Sequence, residues 1–401
     1  MDDLNAFRND VRAWLEANAP ASLRGHAFDP SSITWGGRRV PVPPDQRLWL
    51  DRMAERGWTA PTWPREYGGG GLSQAEANVL QQEIARLKLP PPLAGMGLSM
   101  IGPTLLHHAS EEQKREYVPK IVSGEQRWCQ GYSEPGAGSD LAALQCSAVR
   151  DGDEYVVNGQ KTWTTGGNFA DWMFMLVRTD RSSKHQGISF LLVDMNTPGI
   201  EVRPIRLISG SSPFCETFFT DVRVPVKNLV GRENEGWTIG KALLGFERSG
   251  IASDGRPARG EGRGAPQLAQ LARRHVGEHD SKLADPMLRD RITQLGMDQQ
   301  CLQFTAQRAG DNRKAGLAPG SETSMFKLYS TELGQRRDEL LLAIRGPQAL
   351  GWEGEGFDDD DLAQTRGWLS ARATTIYGGT TEIQLNIIAK RVLGLPDDPG
   401  G

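Results

Sequence analysis

The sequence predicts an α+β chain in three parts: a helical first third, a strand-rich middle and a helical remainder. Three observations carry this expectation. The hydrophobic period switches near residue 126, it returns near residue 236, and the hairpin-type turn dipeptides fall between those points. The expected domains are therefore 1–125, 126–235 and 236–401, a division that the length of 401 residues accommodates.

In the first part, Leu4, Phe7, Val11, Trp14 and Leu15 recur at three- and four-residue spacing, as one buried helix face requires. Ser73-x-x-Glu76 and Ser110-x-x-Gln113 have the form of capping boxes ahead of apolar-periodic runs. The intervening TWPREYGGGGL must break regular structure, and His107-His108 has no third ligand at metal spacing and reads as a helix end. In the middle part, Asp151-Gly152 and Asn158-Gly159 read as hairpin turns flanked by CSAVR, EYVV and KTWTT. Further strands are expected at 172–179, 187–194 and 216–224, which together make a small antiparallel barrel or sandwich. In the last part, helices are expected near 236–252, 285–310, 322–345 and 381–393. GRPARGEGRGAP (255–266) is expected to be a mobile surface loop, and the acidic run Asp358 to Asp361 a solvated one.

The 46 basic and 50 acidic residues leave a net charge of -4, which argues against a general nucleic-acid binder. Cys129, Cys146, Cys215 and Cys301 show no CxxC spacing and read as free thiols in a reducing compartment. The polar amino terminus is unlike a secretory signal, and no apolar run approaches the ~18 residues of a membrane helix. A cytoplasmic protein without membrane insertion is expected.

Two segments carry chemistry. In WCQGYSEPGAGSDL (128–141), a strand runs into a turn of small residues and hydroxyls, including Tyr132, Ser133, Gly138 and Ser139. Such a turn lets backbone N–H groups approach a ligand closely, although alone it is an ordinary tight turn, without the strand-GxGxxG-helix context of a dinucleotide fold. In NGQKTWTTGGNFADW (158–172), alternation places Trp163 and Thr165 on one strand face. An indole there can stack on a planar ring while the hydroxyl bonds its edge, but a strand tryptophan by itself is more often core.

Together these segments resemble the acyl-CoA dehydrogenase family, and the similarity runs nearly end to end. It includes WPREYGG, the YSEPGAGSD and NGQKTWTT pair, FFTDVRVPVKNLVG (218–231), ENEGW (233–237) and IYGGTTEIQLNIIAKRVLG (376–394). The resemblance implies an α-helical domain, an antiparallel β-barrel and a C-terminal four-helix bundle, assembled as tetramers. It also implies FAD-dependent α,β-dehydrogenation of an acyl-CoA thioester to the trans-2-enoyl-CoA, with electrons passing to an electron-transferring flavoprotein. By the same resemblance Tyr132, Ser133, Gly138 and Ser139 lie along flavin and thioester, Trp163 packs on the flavin, and Thr165 bonds near its N5. Thr380 and Glu382 open the last helix, whose N–H groups and dipole favour the FAD pyrophosphate. The N–H of Gly378 is implied to bind the thioester oxygen, with Tyr377 beside the substrate. No metal is expected.

The family's base is a glutamate, in many members at the second position of a terminal YEGT-like motif, which here is Gly378. The second placement used in the family, in the first long C-terminal helix just before an arginine, is occupied by Glu247 and Arg248. Leu243, Leu244 and Ile251 lie at i−4, i−3 and i+4 from Glu247, so its carboxylate is expected in apolar surroundings, which raise a pKa above ~4.3. Arg248 is expected to support CoA binding or orient Glu247. A buried ion pair made only for packing is the plainer alternative.

Family homotetramers complete each FAD site across an interface with RQFG…FQ-type and QxxGGxG stretches. The first has no counterpart here, and the second is degenerate, with Trp352 inside the stretch Gln348 to Gly354. The pattern is similar to the base-carrying subunit of bacterial α2β2 acyl-CoA dehydrogenases of sterol side-chain and pimeloyl type, completed by a paralogous subunit. A homotetramer with altered contacts stays open, as do an oxidase or monooxygenase on this fold and a non-catalytic subunit.

Overall fold

The structure is a computed structural model that describes residues 2–25, 32–253, 264–315 and 322–396, without the side chains of 2, 246–253, 313–314 and 322–323. The chain divides into two compact units, one of Met1–Ile205 with Pro213–Glu247 and one of Arg206–Ser212 with Arg248–Gly401.

The first unit opens with α1 (Asp2–Asn18), α2 (Pro44–Glu55), α3 (Gln74–Arg86), α4 (Gly102–His108) and α5 (Glu111–Val122). The stripe on α1 buries Val11 and Leu15 against Trp49 and Met53 of α2 and Leu80 of α3. Leu4, expected in the same stripe, stays 38% exposed. Both capping boxes form, Ser73 with Glu76 and Ser110 with Gln113, and α4 ends at His108 as expected.

Glu83 of α3 is buried and collects Arg8 at 2.9 Å, Arg12 at 3.0 Å and Arg86 at 2.7 Å. The Arg12 hydrogen bond, helped by Arg86 and Arg8 and opposed by burial, holds its carboxyl at about 2. A depressed carboxyl contributes stability above its unfolded value near 4.5, and that contribution is lost as pH falls toward 2. Glu83→Gln is expected to cost about 1–3 kcal/mol at neutral pH. Urea midpoints of both proteins between pH 6 and 2 check this. Curves that stay parallel down to pH 2 would contradict the assignment.

The middle of the first unit is a seven-stranded curled sheet of β1 (Trp128–Gly131), β2 (Ser147–Asp151), β3 (Glu154–Thr165), β4 (Trp172–Arg178), β5 (Ile188–Asp194), β6 (Ile200–Ile205) and β7 (Phe214–Pro225). Strand order is β1-β4-β2-β3-β7-β6, with β5 also on β4. The expected all-antiparallel pairing is corrected in two places, because β4 runs parallel to both β1 and β2. Asp151-Gly152 does make the β2–β3 hairpin. Asn158-Gly159 does not make a turn. It lies inside β3, where Gly159 at φ 145° admits the backbone just before β2 so closely that a Cβ would sit 2.7 Å from Cys146 Cα. The Asn158 side chain bonds Asp221 on β7 at 3.0 Å and accepts that residue's N–H at 2.9 Å, which stabilises the irregularity. One core joins the helices and the sheet, with Tyr117, Val118 and Ile121 packed against Trp128, Phe174 and Phe190.

The long helix α6 (Gly236–Ser253) crosses the division between the units. The second unit continues with α7 (Ala265–Val276), a short hairpin of β8 (Glu278–His279) and β9 (Lys282–Leu283), then α8 (Pro286–Lys314), α9 (Glu322–Arg345), α10 (Asp359–Ala371) and α11 (Thr381–Ile387). Leu268, Ala272, Leu295, Leu333, Leu340 and Ile344 form its core. Of the expected loop 255–266, residues 255–263 lie outside the described residues, while Ala265 and Pro266 open α7, where proline is well suited. The acidic run is corrected as well: Asp358 caps α10 through the N–H of Asp361 at 2.7 Å, and Asp361 is buried in an ion pair with Arg345. Carboxylates at a helix start complement its dipole, so the run begins a helix. Among the described residues no helix is long and apolar enough to cross a membrane.

Candidate active site

The first unit brings the two chemistry-bearing segments together. Tyr132 and Ser133 leave β1 beside β3, where the N–H of Thr162 donates to the Ser133 carbonyl at 2.8 Å. Tyr132 is buried edge-on against Phe174 and Phe190. Glu134 and Ala137 exchange backbone hydrogen bonds at 3.0 Å, closing the Pro-Gly-Ala-Gly turn. A Cβ at Gly136 or Gly138 would meet nothing within 4 Å, so the turn faces open space on the side of these glycines. Ser139 is exposed beside it.

On β3 the ladder to β7 shifts register between Lys161 and Thr164. Lys161 and Thr164 are both fully buried, so the two intervening residues bulge outward. Thr164 faces inward between Trp163 and Thr165, which leaves those two on the outer side. Trp163 adopts φ 59°, a left-handed conformation rare for a bulky side chain, and is 55% exposed, with a T-shaped contact to Phe214 at 6.0 Å. A strained, exposed indole beside an open glycine turn has a free face of the kind on which a planar ring can stack.

Two residues that sequence reasoning passed over join these segments. Lys161 donates from Nζ to Glu134 Oε1 at 2.7 Å and to the Tyr132 carbonyl at 3.1 Å. Glu134 in turn accepts the N–H groups of Gln145 at 2.6 Å and Cys146 at 3.0 Å. A partial signal was available: Lys161 is the one basic residue of the 158–172 segment, and Glu134 is one of two acids, with Asp140, in the 128–141 segment.

α6 approaches the same region. A Cβ on Gly240 would lie 3.2 Å from Leu176 and 3.6 Å from the Tyr132 hydroxyl, so the helix packs on the sheet at that residue. Glu247 follows by seven residues, two turns along the same helical face. Leu243, one turn before it, is fully buried, as the sequence led one to expect. The side chains of Glu247 and Arg248 lie outside the described residues.

In the second unit, Gly378 and Gly379 turn through φ 66° and 92°, and Thr380 caps α11 by accepting the N–H of Ile383 at 3.2 Å. A Cβ on Gly379 would lie 2.4 Å from the amide nitrogen of Gln384, which is buried under the turn. Tyr377 is 56% exposed. Glu382 lies in the first turn, its carboxyl held low by its own N–H and by Thr380. Lys327 of α9 is buried, and its ammonium has no hydrogen-bond partner among the described residues. Burial pushes its pKa down while the charge of Glu382 opposes this. Within the second unit the orphaned Lys327 cation beside the Thr380 turn has the chemistry to suit a diphosphate, and within the first unit the exposed Trp163 indole has the chemistry to suit a flavin ring.

The stretch Gln348–Gly354 is closed by Trp352 and by the neighbouring side chains of Phe357 and Arg366. Gly346–Leu350 is a 3-10 turn, Trp352 lies over Gly210 and under the Arg366 guanidinium, and a Cβ on Gly351 would strike the Phe357 ring at 2.4 Å.

Sequence profiles of the acyl-CoA dehydrogenase N-terminal, middle and C-terminal domains match residues 2–125, 129–222 and 234–393. The acyl-CoA dehydrogenase IpdE1 of Mycobacterium tuberculosis is 37% identical over 402 residues, covering all of both chains. The acyl-CoA dehydrogenase FadE29 of the same organism is 35% identical over 89% of this chain and 90% of its own. Among solved structures, the Tcur3481-Tcur3483 steroid ACAD matches at TM-score 0.73 and 30% identity over 99% of each chain. The ChsE4-ChsE5 complex from M. tuberculosis matches at TM-score 0.72 and 29% identity, also over 99% of each.

Proposed function

The chain belongs to the acyl-CoA dehydrogenase family, and we propose that it is the base-carrying subunit of a dehydrogenase for bulky, steroid-like acyl-CoA thioesters. It is an FAD-dependent oxidoreductase acting on acyl-CoA. When bound, FAD supplies the acceptor for the hydride that leaves the β-carbon.

The chain's own residues divide the remaining work. The Glu247 carboxylate takes the α-proton as general base. The N–H of Gly378 donates to the thioester oxygen, where negative charge develops as that proton leaves. Trp163 and Thr165 would hold the flavin ring, and Tyr132, Ser133, Gly138 and Ser139 would line the way to the thioester. Thr380, Glu382 and the α11 N–H groups would hold the pyrophosphate end, and Tyr377 and Arg248 would flank the substrate. The observation that supports the base assignment is the packing of α6 at Gly240 on Tyr132, since Glu247 lies two helical turns further along the same helix.

The steroid-type substrate and the paralogous partner rest on likeness to the steroid ACAD and the ChsE4-ChsE5 complex. An electron-transferring flavoprotein is the proposed acceptor of the electrons. Anaerobic bleaching of the flavin by a panel of CoA thioesters tests the substrate reading. Steroid-like thioesters are expected to bleach it at least about 10-fold faster than straight-chain ones, a difference of about 1.4 kcal/mol. Equal or faster bleaching by short straight chains would sink this reading. Rapid reoxidation in air would favour an oxidase.

A further inference from the structure

We propose that Lys161 and Glu134 are positioning residues for the cofactor shelf: their buried ion pair ties the strained Trp163 bulge to the Ser133–Ser139 turn. This rests on the reading that Trp163 and Thr165 face the flavin.

Four hydrogen bonds converge on the pair and on one carbonyl. The Lys161 ammonium reaches Glu134 at 2.7 Å and the Tyr132 carbonyl at 3.1 Å, and Glu134 takes the N–H groups of Gln145 and Cys146 at 2.6 and 3.0 Å. One backbone bond, Thr162 to Ser133 at 2.8 Å, runs alongside. Lys161 is fully buried and Glu134 is 8% exposed. Chain position makes the knot specific. Lys161 lies two residues before Trp163, and Glu134 lies between Ser133 and the glycine turn. Every group assigned to the flavin ring in this unit is therefore within five residues of one end of the pair.

Stability alone does not account for such a pair, since an apolar pair of similar volume commonly stabilises an interior as well or better. A charge-assisted bond differs in being directional: it sets where the turn lies relative to the bulge. An indole at φ 59° persists only where its neighbours over-determine it. Lys161 on one side and Thr164, bonded through its hydroxyl to Thr217 at 3.3 Å, on the other do so.

The test uses the FAD-loaded protein with its paralogous partner and compares Lys161→Met, Glu134→Gln and Trp163→Ala with Val157→Ala. The last is a core truncation on the same strand, away from the shelf. Lys161→Met and Glu134→Gln are expected to weaken FAD binding by about 10- to 100-fold, as supports one step removed from a bound group do. They should also blur the fine structure of the flavin absorption band and lower kcat more than they change KM. Val157→Ala should lower the melting temperature with FAD affinity and spectrum unchanged. A folded Lys161→Met or Glu134→Gln protein with wild-type FAD affinity and spectrum overturns the proposal. So does failure of both to fold, which would make the pair a support of the whole domain. If Trp163→Ala leaves FAD affinity and spectrum unchanged, the underlying flavin-face reading fails, whatever the lysine variant does.

Discussion

Glu247→Gln is expected to lower kcat for α,β-dehydrogenation by about 10²–10⁴-fold while FAD stays bound. The α-proton of a thioester is weakly acidic, so its removal needs a carboxylate held against it. The terminal motif cannot supply one, because its second position is Gly378, in a left-handed turn. Glutamine keeps the size and a hydrogen-bonding end but cannot accept the proton. Binding is expected to survive, so substrate should still perturb the flavin spectrum without bleaching it. Anaerobic stopped-flow absorbance separates the two events. A Glu247→Gln protein that bleaches its flavin at the wild-type rate would remove Glu247 from the mechanism. A non-catalytic subunit predicts no bleaching by the wild type either.

The other large effect concerns the partner. Produced alone, the chain is expected to hold well under one FAD per chain and to turn over about 10²-fold or more slowly than when produced with a paralogous subunit. In family homotetramers a glycine-rich stretch approaches a neighbour's phosphates. Here the corresponding segment is filled: Trp352 covers Gly210 beneath Arg366, and the Phe357 ring closes on Gly351. Losing two charge-assisted hydrogen bonds, at about 1.5–3 kcal/mol each, weakens a ligand by about 10²–10⁴-fold. Light scattering with the ratio of flavin to protein absorbance measures assembly and FAD content together. One FAD per chain and full turnover in the lone chain would end the heteromer reading and leave a homotetramer with altered contacts.

Local signals served best where the structure depends on near neighbours. The capping boxes at Ser73 and Ser110 and the helices over 236–252 and 322–345 were legible because periodicity and caps act within a few residues. β6 and α10 were not legible. Pro204 interrupts the short alternation Ile200-Glu201-Val202-Arg203 of β6, and the acids that open α10 have the composition of a solvated run. Asn158-Gly159 has the composition of a turn, yet it lies in a bulge of β3, where Cys146, just before β2, approaches Gly159 too closely for a side chain.

By itself the sequence determined the family and its class of chemistry, the missing carboxylate at Gly378 and the helix position of Glu247. Those properties depend on residue identity and spacing, which folding does not change. Only the tertiary structure decided that Lys161 meets Glu134 27 residues away, that Trp163 is held in a left-handed bulge, and that α6 packs at Gly240 on Tyr132. Each of these follows from strand register and close packing between distant parts of the chain, and a one-dimensional pattern of apolar residues does not contain them.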